Sequence, residues 1–214
     1  MRKKEFNHLY AKPDPWGVSG NKNSRNYVFK KIFKKYFNKD KTLIELGCGE
    51  GNLSKYVNEI GCKSLGIDIS DIAIERAKKL NLNNYEFETK ELLDTNLNSD
   101  IVLAIEVIYY LNEQERNLFF DKLQDKNTML ILSTPIIGGK YFTDNQVKSY
   151  LNKYNFTLLE EKNLNFFGNK NLIFRVVNKI LFNRFISETY FTYQILQILP
   201  TRFIYQKVYI VTSK

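Results

Sequence analysis

The chain has 214 residues, 43% hydrophobic and 26% charged, which suits one folded domain with a full core and excludes a disordered polar chain. Two cysteines, Cys48 and Cys62, form no spaced framework, so a disulfide scaffold is excluded and a reducing compartment is expected. The formal charge is +9, from 32 Lys+Arg against 23 Asp+Glu. That balance suits nucleic acid, an anionic membrane face or a phosphorylated small substrate, but the basic residues are scattered along the chain, which favours a compositional bias.

The opening MRKKEFNHLYAKPDPWG lacks the apolar core of a signal peptide. No stretch approaches the roughly 20 apolar residues of a membrane span, and a cytoplasmic protein is expected. Residues 1–20 read as irregular and end in the turn-rich KPDPWGVSG. Asn23 to Asn38 reads as a helix, with Ser24 as N-cap and Tyr27, Val28, Phe33 and Phe37 near helical spacing. Its lysines, Lys30, Lys31, Lys34 and Lys35, read as a solvated face.

Strands and helices then alternate. Thr42–Leu46 is a short apolar strand, followed by a glycine-rich loop and a helix from Asn52 to Ile60. Ser64–Ile67 is a second strand ending at Asp68, and Ser70 can cap the helix DIAIERAKKL. Tyr85–Glu88 and the strongly apolar Asp100–Ile105 are the third and fourth strands. Glu113–Lys122 is helical, and Thr128–Ser133 is the fifth strand. Asp144 can cap a helix to Tyr154, and Phe156–Glu161 is the sixth strand. Asn169 to Leu199 is long, apolar and helical in pattern, interrupted by Lys170, Arg175, Lys179 and Arg184, and Pro200 stops it. Tyr205–Thr212 is the last strand. The alternation predicts an α/β fold with a parallel sheet covered on both faces, and ligands at the carboxyl ends of its strands. A single domain is expected over 1–214: an N-terminal lid and helix (1–38), a core (40–161), a helical insertion (162–204) and the last strand (205–214).

The loop IELGCGEGN sits where nucleotide folds place a phosphate cradle. No Gly-Lys-Ser/Thr follows Gly51, which excludes a P-loop, and the third glycine is one position early for a dinucleotide fingerprint. Glu45 precedes the loop, Glu50 lies inside it and Asp68 ends the next strand. These carboxylates predict a ligand with positive charge and ribose hydroxyls and disfavour pyrophosphate.

ELGCGEG resembles the first motif of class I S-adenosylmethionine-dependent methyltransferases, and GIDIS resembles their second. Glu91 and Leu92 match the place after the third strand where such enzymes hold adenine, and NSDIVLAIEVIYYL resembles their fourth-strand motif. The resemblance covers residues 40 to 160 and the final strand. It implies a three-layer doubly wound, mostly parallel seven-stranded sheet with an antiparallel last strand and a helical insertion before it. It also implies S-adenosylmethionine as cofactor and S-adenosylhomocysteine as product. DPWG followed by Arg25 is similar to the nodulation-factor N-methyltransferase group, which modifies sugars and other small molecules. The implied cofactor-binding residues are Trp16, Arg25, Glu45, Gly47, Cys48, Gly49, Gly51, Asp68, Ile69, Glu91, Leu92 and Glu106. No metal ligands are expected.

Methyl transfer from a sulfonium needs in-line placement and exclusion of water, while a base helps where the acceptor must lose a proton. His8, the sole histidine, is the candidate base, with Tyr10 beside it and Tyr109 after the fourth strand as further catalytic candidates. The expected acceptor is an oxygen or nitrogen of a small molecule, anionic in one reading: a sugar, sugar phosphate or phosphoramidate of a surface polysaccharide. An RNA methyltransferase or a non-catalytic binder of the cofactor are the alternatives. The fourth-strand end lacks the Asn/Asp-Pro-Pro-Tyr/Phe of base amino-methyltransferases, so no nucleic-acid partner is expected. The insertion is expected to form an acceptor wall, a lid or a homodimer contact.

Overall fold

The computed structural model describes residues 2–17, 24–124, 126–166 and 190–213. The helices are α1 (Arg2–Leu9), α2 (Ser24–Tyr36), α3 (Ser54–Asn58), α4 (Asp71–Lys78), α5 (Glu113–Leu123), α6 (Asp144–Lys153) and α7 (Tyr190–Ile198). The strands are β1 (Thr42–Leu46), β2 (Lys63–Asp68), β3 (Tyr85–Thr89), β4 (Ile101–Ile105), β5 (Met129–Pro135), β6 (Phe156–Phe166) and β7 (Ile204–Ser213). They form one sheet in the order β3-β2-β1-β4-β5-β7-β6. The pairings from β3 through β5 are parallel, and β7 runs antiparallel to β5 and β6.

The strands read as continuous apolar runs because both faces of the sheet are covered. Successive side chains alternate between two cores. Leu43, Leu103, Ile105, Ile131, Val208 and Ile210 pack under α2 and α4 with Val28, Phe29, Phe33, Ile74 and Ala77. Ile44, Val102, Ala104, Leu130, Leu132, Tyr209 and Val211 pack with Phe119, Phe120 and Leu123 of α5 and Val147 and Leu151 of α6.

Caps set the helix starts. Ser70 accepts from the Ala73 N–H, and Asn112 with Glu115 closes a capping box on α5. The expected cap of α6, Asp144, is displaced by its neighbour. Thr143 forms the capping box with Gln146, and the Asp144 carboxylate accepts instead from the Tyr209 hydroxyl at 2.6 Å. Residues 1–20 are less irregular than expected, since Arg2–Leu9 is helical. A helix of this length is marginal alone. Here Arg2 pairs with Glu115, Lys3 pairs with Asp71, and the Phe6 ring meets Tyr110 edge-on at 5.0 Å. β6 runs five residues beyond the expected Glu161, because β7 pairs along it as far as Phe166 opposite Ile204, with register shifts on the way. The expected helical insertion falls largely on residues 167–189, outside the described residues, together with Lys170, Arg175, Lys179 and Arg184.

Lys207 on β7 is 4% exposed and stands between Asp144 (3.2 Å) and Glu161 (2.9 Å). Lys148 reaches the same two carboxylates from α6. Removing one partner of a buried ion cluster leaves uncompensated charge. Lys207→Met is expected to lower unfolding free energy by about 3 kcal/mol in urea denaturation, and a loss below about 1 kcal/mol would mean that Lys148 alone neutralises both carboxylates.

Candidate active site

Chain connections leave β1 and β4 on opposite sides of the sheet, which opens a crevice at their carboxyl ends. A cavity of about 630 Å³ lies there, within the roughly 300–1,000 Å³ of small-molecule sites. The β1–β3 half contributes the glycine loop, Asp68, Ile69, Glu91 and Leu92. The other half contributes Glu106, Val107, Tyr109, Tyr110, Tyr141, Tyr205, Gln206 and Asn165.

The loop glycines have different tasks. All three have positive φ, at +66° for Gly47, +55° for Gly49 and +77° for Gly51, where a side chain is strained. A Cβ on Gly49 would stand 2.6 Å from the Tyr10 hydroxyl, and one on Gly47 would stand 2.9 Å from Val107 Cγ2. Both glycines line the cavity. Gly51 does not. A Cβ there would meet Leu80 Cδ1 at 2.7 Å and Phe87 at 3.3 Å. Gly51, expected from the sequence among the cofactor-binding residues, is absent from the lining and instead lets the loop close against Leu80, just past α4, and Phe87 of β3.

The carboxylates are also divided. The Gly49 N–H donates to one Asp68 oxygen at 3.0 Å and the Ser70 N–H donates to the other at 2.9 Å. Burial raises the Asp68 carboxyl above its ordinary range, and the backbone donors oppose the rise. Glu45 is buried and accepts from the Ser54 hydroxyl at 2.6 Å and from the Tyr85 hydroxyl. Burial pushes it up to about 7, against the pull of those two bonds. Glu50 pairs with Arg76 at 2.6 Å and accepts from the Asp14 N–H at 2.9 Å. The acidic character read into the loop is thus mostly used inside the protein. All three line the cavity, but only Asp68 is held through backbone N–H groups alone, with a lone pair left on each oxygen for a ligand.

Cys48 lines the cavity and is buried; its N–H donates to Ile67 O at 2.9 Å, and burial pushes its thiol up. Glu91 is exposed at the rim. Leu92 lines the cavity and also belongs to the core beneath it.

Arg2, Phe6 and Tyr10 line the cavity at four-residue spacing from α1 onward, which puts them on one helical face. His8, two residues from Phe6, is exposed and lies outside the lining. Its placement does not suit the expected base, because residues two apart do not share a helix face. Tyr10 is 5% exposed and packs edge-on against Trp16 at 5.1 Å. Burial, then Asp68, raises its hydroxyl well above the ordinary value, so Tyr10 is a donor and not a base at neutral pH. Burial and Glu106 raise Tyr109 likewise.

Arg25 enters from α2, with its guanidinium 5.3 Å from the Phe29 ring centre. Its Nε is buried and has no hydrogen-bond partner among the described residues. Burial lowers its pKa, and Glu106 and Tyr109 oppose that shift. Tyr141, Lys140, Asn165, Tyr205 and Gln206 were invisible as site residues in the sequence. They come from the loop after β5 and the near ends of β6 and β7, and only sheet closure brings them to Glu106. Gly138-Gly139 marks the turn that carries Lys140 and Tyr141, but turn glycines alone do not say what they face. Among the described residues, no group of three or more His, Cys, Asp or Glu side chains could hold a metal ion, and no helix is long and apolar enough to cross a membrane.

The chain matches the Methyltransferase domain family over residues 23–172. It is 35% identical over 81 residues to ribosomal protein L11 methyltransferase of Clostridium botulinum, covering 35% of this chain and 26% of that protein. It is 31% identical over 119 residues to ubiquinone biosynthesis O-methyltransferase of Pelagibacter ubique, covering 46% and 48%. The chain thus spans between a quarter and a half of the length of these curated relatives. The fold is similar to that of the N-methyltransferase NodS from Bradyrhizobium japonicum in complex with S-adenosylhomocysteine, with TM-score 0.70, 14% identity and 99% and 97% coverage. It is also similar to magnesium protoporphyrin IX methyltransferase from Synechocystis with bound S-adenosylmethionine, with TM-score 0.67, 14% identity and 100% and 98% coverage. The chain belongs to the methyltransferase-domain family, and its sheet is that of the class I S-adenosylmethionine-dependent methyltransferases.

The buried Glu45 carboxyl makes a pH prediction. Its folded value of about 7 lies above the ordinary 4.5. Below 4.5 both folded and unfolded chains hold the proton, and no penalty exists. As pH rises toward 7 the unfolded chain releases its proton first, so stability falls, and the full penalty stands above 7. In the ligand-free protein, Glu45→Gln should remove a loss on the order of 3 kcal/mol between pH 4.5 and 7.5. An unchanged pH slope in urea titrations would show that Glu45 stays ionised in the fold.

Proposed function

We propose that the protein transfers a methyl group from S-adenosylmethionine to an oxygen or nitrogen of a small polar molecule. The observation that carries this reading is one continuous cavity at the carboxyl ends of β1 and β4, with a glycine loop and Asp68 on one half and a tyrosine-lined polar floor on the other. The residues suit the cofactor. Each Asp68 oxygen accepts one backbone N–H and retains capacity for a ribose hydroxyl. The unbonded Arg25 Nε suits the methionine carboxylate, since a buried unpaired donor is costly. Glu91 and the Leu92 backbone suit the adenine edge, and Ile69 its face. When bound, the cofactor supplies the electrophilic methyl. The protein orients donor and acceptor and excludes water, with Tyr10 and Trp16 covering the loop.

Tyr109, Tyr141 and Tyr205 offer ring faces and Asn165 and Gln206 offer amides, a mixture that suits a sugar-like acceptor. Arg2 and Lys140, also in the lining, suit a phosphate or carboxylate on it. A sugar or sugar phosphate is therefore the favoured acceptor within the small-molecule class. Asp68→Ala should weaken S-adenosylhomocysteine binding by about 100-fold in calorimetry, the scale of two lost charge-assisted hydrogen bonds. Retained affinity would remove Asp68 from the ribose site. No binding to the native protein would refute the methyltransferase reading.

A further inference from the structure

Glu106 follows β4, the strand next to β1, and so stands on the boundary between the two halves of the cavity. Its backbone has φ +59°, unfavourable for a residue that is not glycine, asparagine or aspartate. Two bonds hold it there: the Glu106 N–H donates to Ser133 O at 2.9 Å, and the Ser133 hydroxyl donates to Glu106 Oε1 at 2.7 Å. Behind them, Gln206 donates to Ser133 Oγ at 3.2 Å, and Asn165 donates to Gln206 Oε1 at 2.6 Å. This polar chain crosses β4, β5, β7 and β6 in their sheet order. A strained residue locked this firmly in a cleft is a marker of function.

We propose that Glu106 belongs to the acceptor and not to the cofactor, and that it pairs with an ammonium whose nitrogen receives the methyl group. The inference rests on the methyltransferase reading. Charge selects the amine. Arg25 is the cation that acts on Glu106, and in the proposed complex a ligand carboxylate occupies Arg25. Glu106 then faces the tyrosine wall of Tyr109 and Tyr205 while Arg25 is engaged elsewhere. An acceptor ammonium at that wall is held between a carboxylate and aromatic rings, and the cofactor's own ammonium, on the carbon that carries the carboxylate at Arg25, is the competing partner. Proton affinity points the same way. A carboxylate is far too weak a base to ionise an alcohol, whereas it can take a proton from an ammonium whose acidity lies closer to its own. Burial, which raises the Glu106 carboxyl, narrows that gap.

The step balances. The ammonium gives one proton to Glu106 and regains a lone pair. That pair forms the N–C bond as the C–S bond breaks, and sulfur keeps its electrons as a neutral thioether. The product leaves as a methylated ammonium, and Glu106 returns its proton to water. Ser133 and Gln206 are positioning residues, since they act through Glu106.

The test uses binding and does not require the natural acceptor. Protein loaded with S-adenosylhomocysteine is titrated calorimetrically with ethanolamine against ethylene glycol, glucosamine against glucose, and benzylamine against benzyl alcohol. At least one amine should bind ~10-fold or more tightly than its alcohol, the scale of one charged contact. Glu106→Gln, which keeps an acceptor for Ser133, should abolish that preference and leave S-adenosylhomocysteine affinity within about threefold. Equal binding of every pair by the native protein overturns the proposal whether or not the variant folds. A preference that survives Glu106→Gln also overturns it. Loss of cofactor affinity in the variant returns Glu106 to the cofactor site and refutes the assignment. Failure of the native protein to bind S-adenosylhomocysteine strikes instead at the methyltransferase reading beneath it.

Discussion

The parting of the connections that leave the paired strands β1 and β4 is the constraint on which the rest of the structure depends. Parallel strands need crossovers, and crossovers are right-handed. A chain that moves outward from β1 to β3, then returns to β4 beside β1 and moves the other way, must leave a crevice beyond the carboxyl ends of these two paired strands. No side chain has to make it. The groups of the candidate site are gathered along that edge: the glycine loop, Asp68, Glu106, and the tyrosines after β4 and β5.

The acidic residues around the crevice show how far local sequence can mislead about charge. Glu45, Glu50 and Asp68 lie beside or near the glycine loop in the chain, and together they suggest an acidic cradle. In the fold they have three separate fates. Glu45 is buried against two hydroxyls and raised toward neutrality. Glu50 is neutralised by Arg76 and ties down the N-terminal segment through Asp14. Asp68 supports the loop backbone while keeping capacity for a ligand. The resemblance to class I methyltransferases held because it rested on the order of motifs along the sheet. The electrostatic argument beside it lost two of its three charges.

The N-terminal helix illustrates the opposite error. RKKEFNHL has no apolar stripe, so periodicity assigns it no helix. Its order comes from distant partners: Glu115 for Arg2, Asp71 for Lys3, the Ser70 hydroxyl on Asn7, and Tyr110 against Phe6. The helix phase then decides which of its residues reach the cavity. Arg2 and Phe6 do, as does Tyr10 just past the helix, and His8, chosen for its chemistry alone, does not.

From sequence alone came the α/β alternation, the seven strands, most helix starts, the glycine loop and the acidic end of β2. These are local signals, written as apolar periodicity, capping residues and backbone freedom. They mark the β1–β3 half of the cavity because that half is built from loops that directly follow their strands. The other half is different in kind. Asn165, Tyr205 and Gln206 reach Glu106 only because β7 inserts antiparallel between β5 and β6. The packing of Gly51 against Leu80 and the burial of Glu45 are likewise contacts between segments far apart in the chain. Period and spacing encode what a residue does to its neighbours along the backbone. Which carboxylate stays free for a ligand depends on what the rest of the fold brings against it.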